Sequence, residues 1–168
     1  GIKLLVQQDD PPRLDEDGVQ DGLLSTADRL AVMRDGHLEQ SGAPEQVYNE
    51  PSSAFVAQFL GRTNLIEADA EGLVAVTPIG TVQLNRPARG SVTVSLRPEH
   101  LKIQPLAGGQ HRAAGAIVGR QFKGHDITFQ VRLANREFVV QTGWQARFRV
   151  GDAVVLSAKT AASVVDGA

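Results

Sequence analysis

The chain has 168 residues, 42% of them hydrophobic and 21% charged, with a formal net charge of −2. That is the size of one ordinary domain, or a small domain joined to a fragment of another, and the composition of a soluble globular protein. The charge balance argues against a nucleic-acid binder, the absence of cysteine excludes disulfides, thiolate nucleophiles and zinc knuckles, and no apolar run approaches the ~18 residues of a membrane span. The opening Gly1 to Val6 is too short for a secretory signal, and a cysteine-free chain is compatible with the cytosol.

The first 18 residues are unsettled. A short apolar strand, Ile2 to Val6, runs into Pro11-Pro12 and the acidic stretch Asp15-Glu16-Asp17-Gly18, where turns replace any helix interior. The acidic stretch mimics a calcium loop, but Arg13 and Leu24 would occupy its first and closing ligand positions, so it reads as a solvated loop. A brief helix is expected from Gln20 to Ala27, then a buried strand from Arg29 to Met33. Asp35-Gly36 predicts a type I′ hairpin turn before His37 to Gln40, with Gly42 closing the hairpin.

Two helices follow. Pro44 suits a first helical position, Glu45 favours the positive end of the helix dipole, and Pro51 stops the helix. Ser52 or Ser53 caps the second, whose apolar set is Phe55, Val56, Phe59 and Leu60, with Gly61 as its stop. Beyond Gly61 the apolar period falls to two. Val74/Val76, Val92/Val94/Leu96, Leu101/Ile103 and Ile127/Phe129/Val131/Leu133 alternate, and Val154 to Leu156 form a continuous run. Turns are expected at Gly80, Pro87 to Gly90, Pro105 to Gly109, Gly124, Asn135, Gly143 and Gly151. Many short strands between turn signals predict an antiparallel barrel or sandwich starting near residue 62.

The stretch from Ala27-Asp28-Arg29 through Val32-Met33, Gly36, Gln40, Gly42, Pro44, Tyr48 and Pro51 resembles a segment of ABC-transporter import ATPases. Their pattern is A-D-R-x-x-V-M, G-x-x-x-Q-x-G and P-x-x-x-Y-x-x-P in that order. Phe55-Val56-Ala57-Gln58-Phe59-Leu60-Gly61 and Asn64 continue the likeness. Leu96-Arg97-Pro98-Glu99, Phe122-Lys123-Gly124 and Phe148 with Gly151-Asp152 are similar to motifs of the regulatory domain that follows. The resemblance implies a mainly β chain. Residues 1–61 would be the remnant of a nucleotide-binding domain of α/β type, with 1–18 unclear, and residues 62–168 a TOBE, or OB-like, regulatory β-barrel.

It also implies a parent subunit that binds ATP and magnesium, homodimerises through the regulatory domain and drives an inner-membrane permease. That parent would sit at the cytoplasmic face of a bacterial membrane, importing ferric iron, polyamine, sulfate or phosphonate, with an inorganic ion such as iron favoured. For this chain alone no enzyme activity and no cofactor are expected. Phosphate cradling needs a Gly-Lys-Ser/Thr loop, and the sequence contains no Gly-Lys dipeptide or apolar strand ending in Asp-Glu. The family's switch histidine should fall near Gly18-Val19-Gln20-Asp21, which holds none. Leu106-Ala107-Gly108-Gly109-Gln110 imitates the family's signature but lies after the A-D-R strand, so it reads as a barrel loop.

The remaining candidates each have two readings. Arg97 with Glu99 would bind an anion or a neighbouring subunit, or form an ion pair at a strand end. Arg120, Lys123 and His125 would line an oxyanion pocket, or be an ordinary charged hairpin. Trp144 would pack against Phe148 or lie at an interface. Phe55, Val56, Phe59 and Leu60 would be interdomain core or a dimer contact. His37, His100, His111 and His125 lack metal-ligand spacing and read as loop histidines. A free-standing small-oxyanion-binding barrel is the rival to the transporter reading, and an OB-type nucleic-acid binder is disfavoured by the charge and the 5% aromatic content.

Overall fold

A computed structural model describes residues 2–7, 28–108 and 113–165, with backbone only for 2–4, 6 and 7. The expected helix from Gln20 to Ala27 and the acidic stretch before it lie outside the described residues, as does His111. The chain divides into two compact units, residues 1–61 with 165–168, and residues 62–164.

The first unit contains a three-stranded antiparallel sheet in the order β1-β2-β3, built from β1 (Ile2–Gln7), β2 (Arg29–Arg34) and β3 (His37–Gly42). Asp35 and Gly36 both take positive φ, 48° and 83°, as the type I′ turn between β2 and β3 requires. Leu30 and Val32 alternate inward from β2 and are fully buried. Helix α1 (Pro44–Asn49) opens on Pro44, and helix α2 (Ala54–Phe59) is capped by Ser53, whose Oγ accepts the Val56 N–H at 3.2 Å.

The residues that carry the family likeness here each have a local structural task. The Gln40 side chain donates to the Glu50 carbonyl at 2.9 Å and accepts the Ser52 N–H at 2.8 Å, tying the hairpin to the chain between the helices. A Cβ at Gly42 would stand 3.0 Å from Gln46 Oε1 and 3.4 Å from Val47 Cγ2, so the missing side chain lets α1 approach. Val56 and Leu60 join Leu30, Val32 and Val47 in a core made of this unit's own residues. Phe55 stacks on Phe59 at 5.9 Å, and the Arg34 guanidinium lies 4.7 Å above the Phe55 ring.

The second unit is entirely β apart from one 3-10 turn, Pro98–His100, among the described residues. Strands β4 (Asn64–Thr77) and β5 (Gly80–Leu96) form a long antiparallel hairpin, and β11 (Ser163–Val165) adds to β5. A five-stranded antiparallel sheet follows the order β6-β10-β7-β8-β9. Its strands are β6 (Leu101–Pro105), β7 (Ala114–Phe122), β8 (Asp126–Leu133), β9 (Arg136–Gly143) and β10 (Ala153–Ala158). The inward faces share one core, in which Ile66, Val94, Leu101, Ile117, Ile127, Phe129, Val131, Val140 and Val154 are fully buried or nearly so. Phe148 meets Phe129 edge-on at 6.0 Å and packs against the same core.

Two sequence expectations are corrected. Pro87 to Gly90 is not a turn but part of β5. The pairing of β4 with β5 jumps from Gly72↔Ala88 to Val74↔Gln83, so residues 84–87 leave the β4 ladder. Leu84 bridges Ala162 instead, and Pro87, which has no N–H, falls where no bond to β4 is asked of it. The second correction has the same cause. Val74 and Val76 alternate but face outward, Val76 being 63% exposed, while Ala75 and Thr77 are buried. Before the irregularity Ile66, Ala68 and Ala70 point in. An irregularity at Leu73 changes the parity and exchanges the faces.

Candidate functional site

The hairpin between β7 and β8 gathers three of the singled-out residues. Phe122 pairs with Ile127, Ile127 with Thr142 and Asp126 with Gly143, so the Lys123–His125 turn and the end of β9 lie at one end of these strands. Gly124 takes φ 89°, and the Lys123 N–H donates to the Asp126 carbonyl at 2.9 Å, closing the turn. Arg120, Phe122, Lys123 and His125 are exposed. Beneath them lies a residue that sequence reasoning passed over. Asp126 is buried; its Oδ2 accepts a hydrogen bond from Gln141 Nε2 and stands 3.7 Å from His125 Nε2. Its Oδ1 is buried with no hydrogen-bond partner among the described residues. A carboxylate at the foot of the hairpin repels an oxyanion, so the geometry suits a charged hairpin better than an anion pocket.

Trp144 follows β9 in a turn where the Ala146 N–H donates to the Gly143 carbonyl at 3.1 Å. It is 61% exposed, which overturns the expected burial against Phe148. Phe148 is turned inward onto Phe129, and four residues back along a chain that is neither helix nor strand there, Trp144 is left outside. The segment then crosses to β7, where the Gly151 N–H donates to the Ile117 carbonyl at 2.8 Å and the Ile117 N–H to the Asp152 carbonyl at 3.0 Å. Arg147 and Arg149, on either side of Phe148, are exposed.

Arg97 and Glu99 form a different group at the corner between β5 and β6. Arg97 is among the largest fully buried side chains, and its Nη1 donates to the Arg62 carbonyl at 3.2 Å. The Glu99 carbonyl accepts from Lys159 Nζ at 2.7 Å, and the Lys159 N–H donates to the His100 carbonyl at 2.8 Å. Burial holds the His100 imidazole below the usual histidine pKa; Glu99 opposes this, and Arg97 and Lys159 add to it. A buried guanidinium bonded to a carbonyl fits a structural corner rather than an open anion site.

A cleft of about 270 Å³ lies between the start of β4 and β9, lined by Thr63, Asn64, Leu65 and residues 136–139. Its polar side chains are engaged internally. Asn64 Oδ1 accepts the Val139 N–H at 2.7 Å and its Nδ2 donates to the Val139 and Leu96 carbonyls at 2.9 and 3.1 Å. Thr63 Oγ1 is 2.7 Å from Ser95 Oγ, and Arg136 pairs with Glu67. The volume sits below the usual ~300 Å³ floor of small-molecule sites. Asn64 was legible as a motif position, but its role as the tie between two sheets is visible only in the fold.

No group of three or more His, Asp or Glu converges among the described residues. The described part of the signature-like stretch, Leu106 to Gly108, lies between β6 and β7. No helix among the described residues is long and apolar enough to cross a membrane.

A mainly β chain of this topology is an OB-like fold, and residues 94–165 match the TOBE domain family. Over most of its length the chain is similar to the ATP-binding subunits of ABC importers. It is 40% identical over 147 residues to the Fe(3+) ions import ATP-binding protein FbpC 2 of Pectobacterium atrosepticum, covering 84% of this chain and 42% of that protein. With the spermidine/putrescine import ATP-binding protein PotA 1 of Pseudomonas aeruginosa it shares 35% identity over 161 residues, 87% of this chain and 43% of that one. With the Fe(3+) ions import ATP-binding protein FbpC of Streptomyces coelicolor the figures are 38% over 107 residues, 63% and 30%. The chain thus spans less than half the length of these curated relatives.

Proposed function

We propose that this chain is the C-terminal part of an ABC-importer ATP-binding subunit, comprising the end of its nucleotide-binding domain (residues 1–61) and its regulatory barrel (residues 62–168). The observation that carries the reading is the likeness to FbpC 2, which runs over 147 residues and so includes both the strand-hairpin-helix segment and the barrel. In this reading the barrel supplies regulation and the contact between two subunits. The nucleotide site, with its magnesium, belongs to the parent length that this chain does not span. The parent works against a permease at the cytoplasmic face of the membrane, and its solute is ferric iron, as named for two of the relatives, with polyamine the other class represented.

Light scattering of the chain across a wide concentration range tests the subunit contact. A stable dimer is the expected result, and a strict monomer at high concentration removes that role from the isolated chain. Grafting residues 28–168 in place of the matching part of FbpC 2 tests the transport reading: retained ferric uptake supports it, and loss of uptake with normal expression counts against it. The rival reading, a stand-alone oxyanion-binding barrel, would require the exposed cations of the β7–β8 hairpin to hold an anion directly above the Asp126 carboxylate.

A further inference from the structure

The near-neutral total charge conceals an asymmetry. Residues 62–164 carry thirteen Lys or Arg against seven Asp or Glu, while the remainder of the chain holds four against twelve. Part of that excess lies on the β7–β8 hairpin and on the segment that leads from the end of β9 across to Ile117 of β7. Residues 119–125 and 143–151 include Arg120, Lys123, Arg147 and Arg149 and no acidic residue; the neighbouring Asp126 is buried, and Asp152 accepts the Arg149 N–H at 2.7 Å through its Oδ2. The same two segments carry two aromatic side chains that the fold leaves in solvent, Phe122 at 58% and Trp144 at 61% exposure.

We infer that these two segments form a docking surface for an acidic protein segment carrying an apolar residue among its carboxylates. Phe122 and Trp144 offer rigid apolar area, ~150–250 Å² for each aromatic buried, and the surrounding cations match carboxylates in sign. Three of the four are arginine, whose planar fork pairs bidentately with carboxylate and which, with tryptophan, dominates the energetics of protein interfaces. A single-stranded nucleic acid is less well served, because its bases stack on aromatics spread along a groove, whereas Phe129 and Phe138 are buried and the exposed rings are Phe122, at the end of β7, and Trp144, in the turn after β9. An anionic bilayer draws on charge without needing the guanidinium fork. The inference does not depend on the transport reading, and concerns only residues 62–164.

Trp144 is the only tryptophan in the chain, so its emission reports on this surface directly. The probe is a synthetic glutamate-rich peptide with a central Leu-Phe pair, titrated into the full chain at low salt. Saturable blue-shifted emission is expected, weakening at least tenfold (~10×) when salt rises well past the ~0.1 M range where the Debye length is ~10 Å. The double variant Arg147→Glu with Arg149→Glu should lose roughly tenfold or more in affinity, read by calorimetry, while keeping its thermal midpoint because both side chains are exposed. Trp144→Ala, followed by the same calorimetry, should weaken binding likewise. No response to the peptide overturns the inference. So does a response only to phosphatidylglycerol/phosphatidylcholine vesicles, which would make the surface a lipid contact, or tighter binding of a single-stranded oligonucleotide than of the peptide at equal salt.

Discussion

Asn64 joins two sheets with one amide. By accepting the Val139 N–H and donating to its carbonyl it imitates a neighbouring strand at a point where β4 and β9 do not pair. Asn64→Ala strands both groups of Val139, while the Leu96 carbonyl keeps its 3.3 Å bond from Thr63 Oγ1; it should cost about 2–3 kcal/mol by urea unfolding, and a change under ~0.5 kcal/mol would mean that water replaces the amide fully. His100 sets a pH dependence. Because its folded pKa lies below the usual value, the folded state binds fewer protons than the unfolded chain as pH falls through about 6.5. Stability is therefore full above that range and declines below it. In His100→Gln the drop in melting temperature between neutral and mildly acid pH should be smaller than in the parent chain, and an unchanged drop would assign the acid sensitivity to the carboxylates.

At the scale of elements, β7 shows why glycine positions in a strand are not equivalent. A Cβ at Gly115 would lie 2.6 Å from the Arg132 carbonyl oxygen, which is backbone held in the β7–β8 ladder. At Gly119 it would meet Gln130 Oε1 at 2.3 Å, the far end of a side chain that can swing away. Gly115→Ala should thus destabilise by about 1–3 kcal/mol and Gly119→Ala by clearly less, as read from paired thermal melts. Equal costs would show that β7 shifts as a unit. Much of this level was legible beforehand. The Asp35-Gly36 turn, the Pro44 start, a serine cap at 52 or 53, which the fold places on Ser53, and the alternation from Ile127 to Leu133 rest on interactions within a few residues, which is why local sequence could give them. The faces of Val74 and Val76 and the strand character of Pro87 to Gly90 could not be read, because both follow from how β5 departs from β4 to meet β11.

For the whole molecule, the division of charge is the property with the most direct consequence. A chain of net −2 whose barrel holds thirteen cationic against seven acidic residues should bind a cation exchanger at neutral pH and elute with salt, since an exchanger senses the facing surface and not the total. Flow-through under those conditions would mean that the barrel's cations do not gather on one accessible face. The same asymmetry removes net charge as a reason to exclude polyanionic partners of the barrel, which the composition by itself had invited.

Sequence by itself determined that the chain is mainly β after residue 61, where the period-two alternation begins, and which family of import subunits it resembles, because both are written in short-range patterns and motif order. It also picked out Arg97, Arg120, Lys123, His125 and Trp144, since charged and aromatic residues beside Gly and Pro are conspicuous in any reading. Tertiary structure alone decided their fates. Arg97 is buried at the β5–β6 corner with its guanidinium on the Arg62 carbonyl, and Asp126 is buried beside the charged hairpin, where β9 supplies Gln141 to its carboxylate. Trp144 is exposed because the chain turns Phe148, not the indole, into the core. Burial is a property of what arrives from elsewhere in the chain, and those arrivals are set by strand pairing over tens of residues that no local window contains.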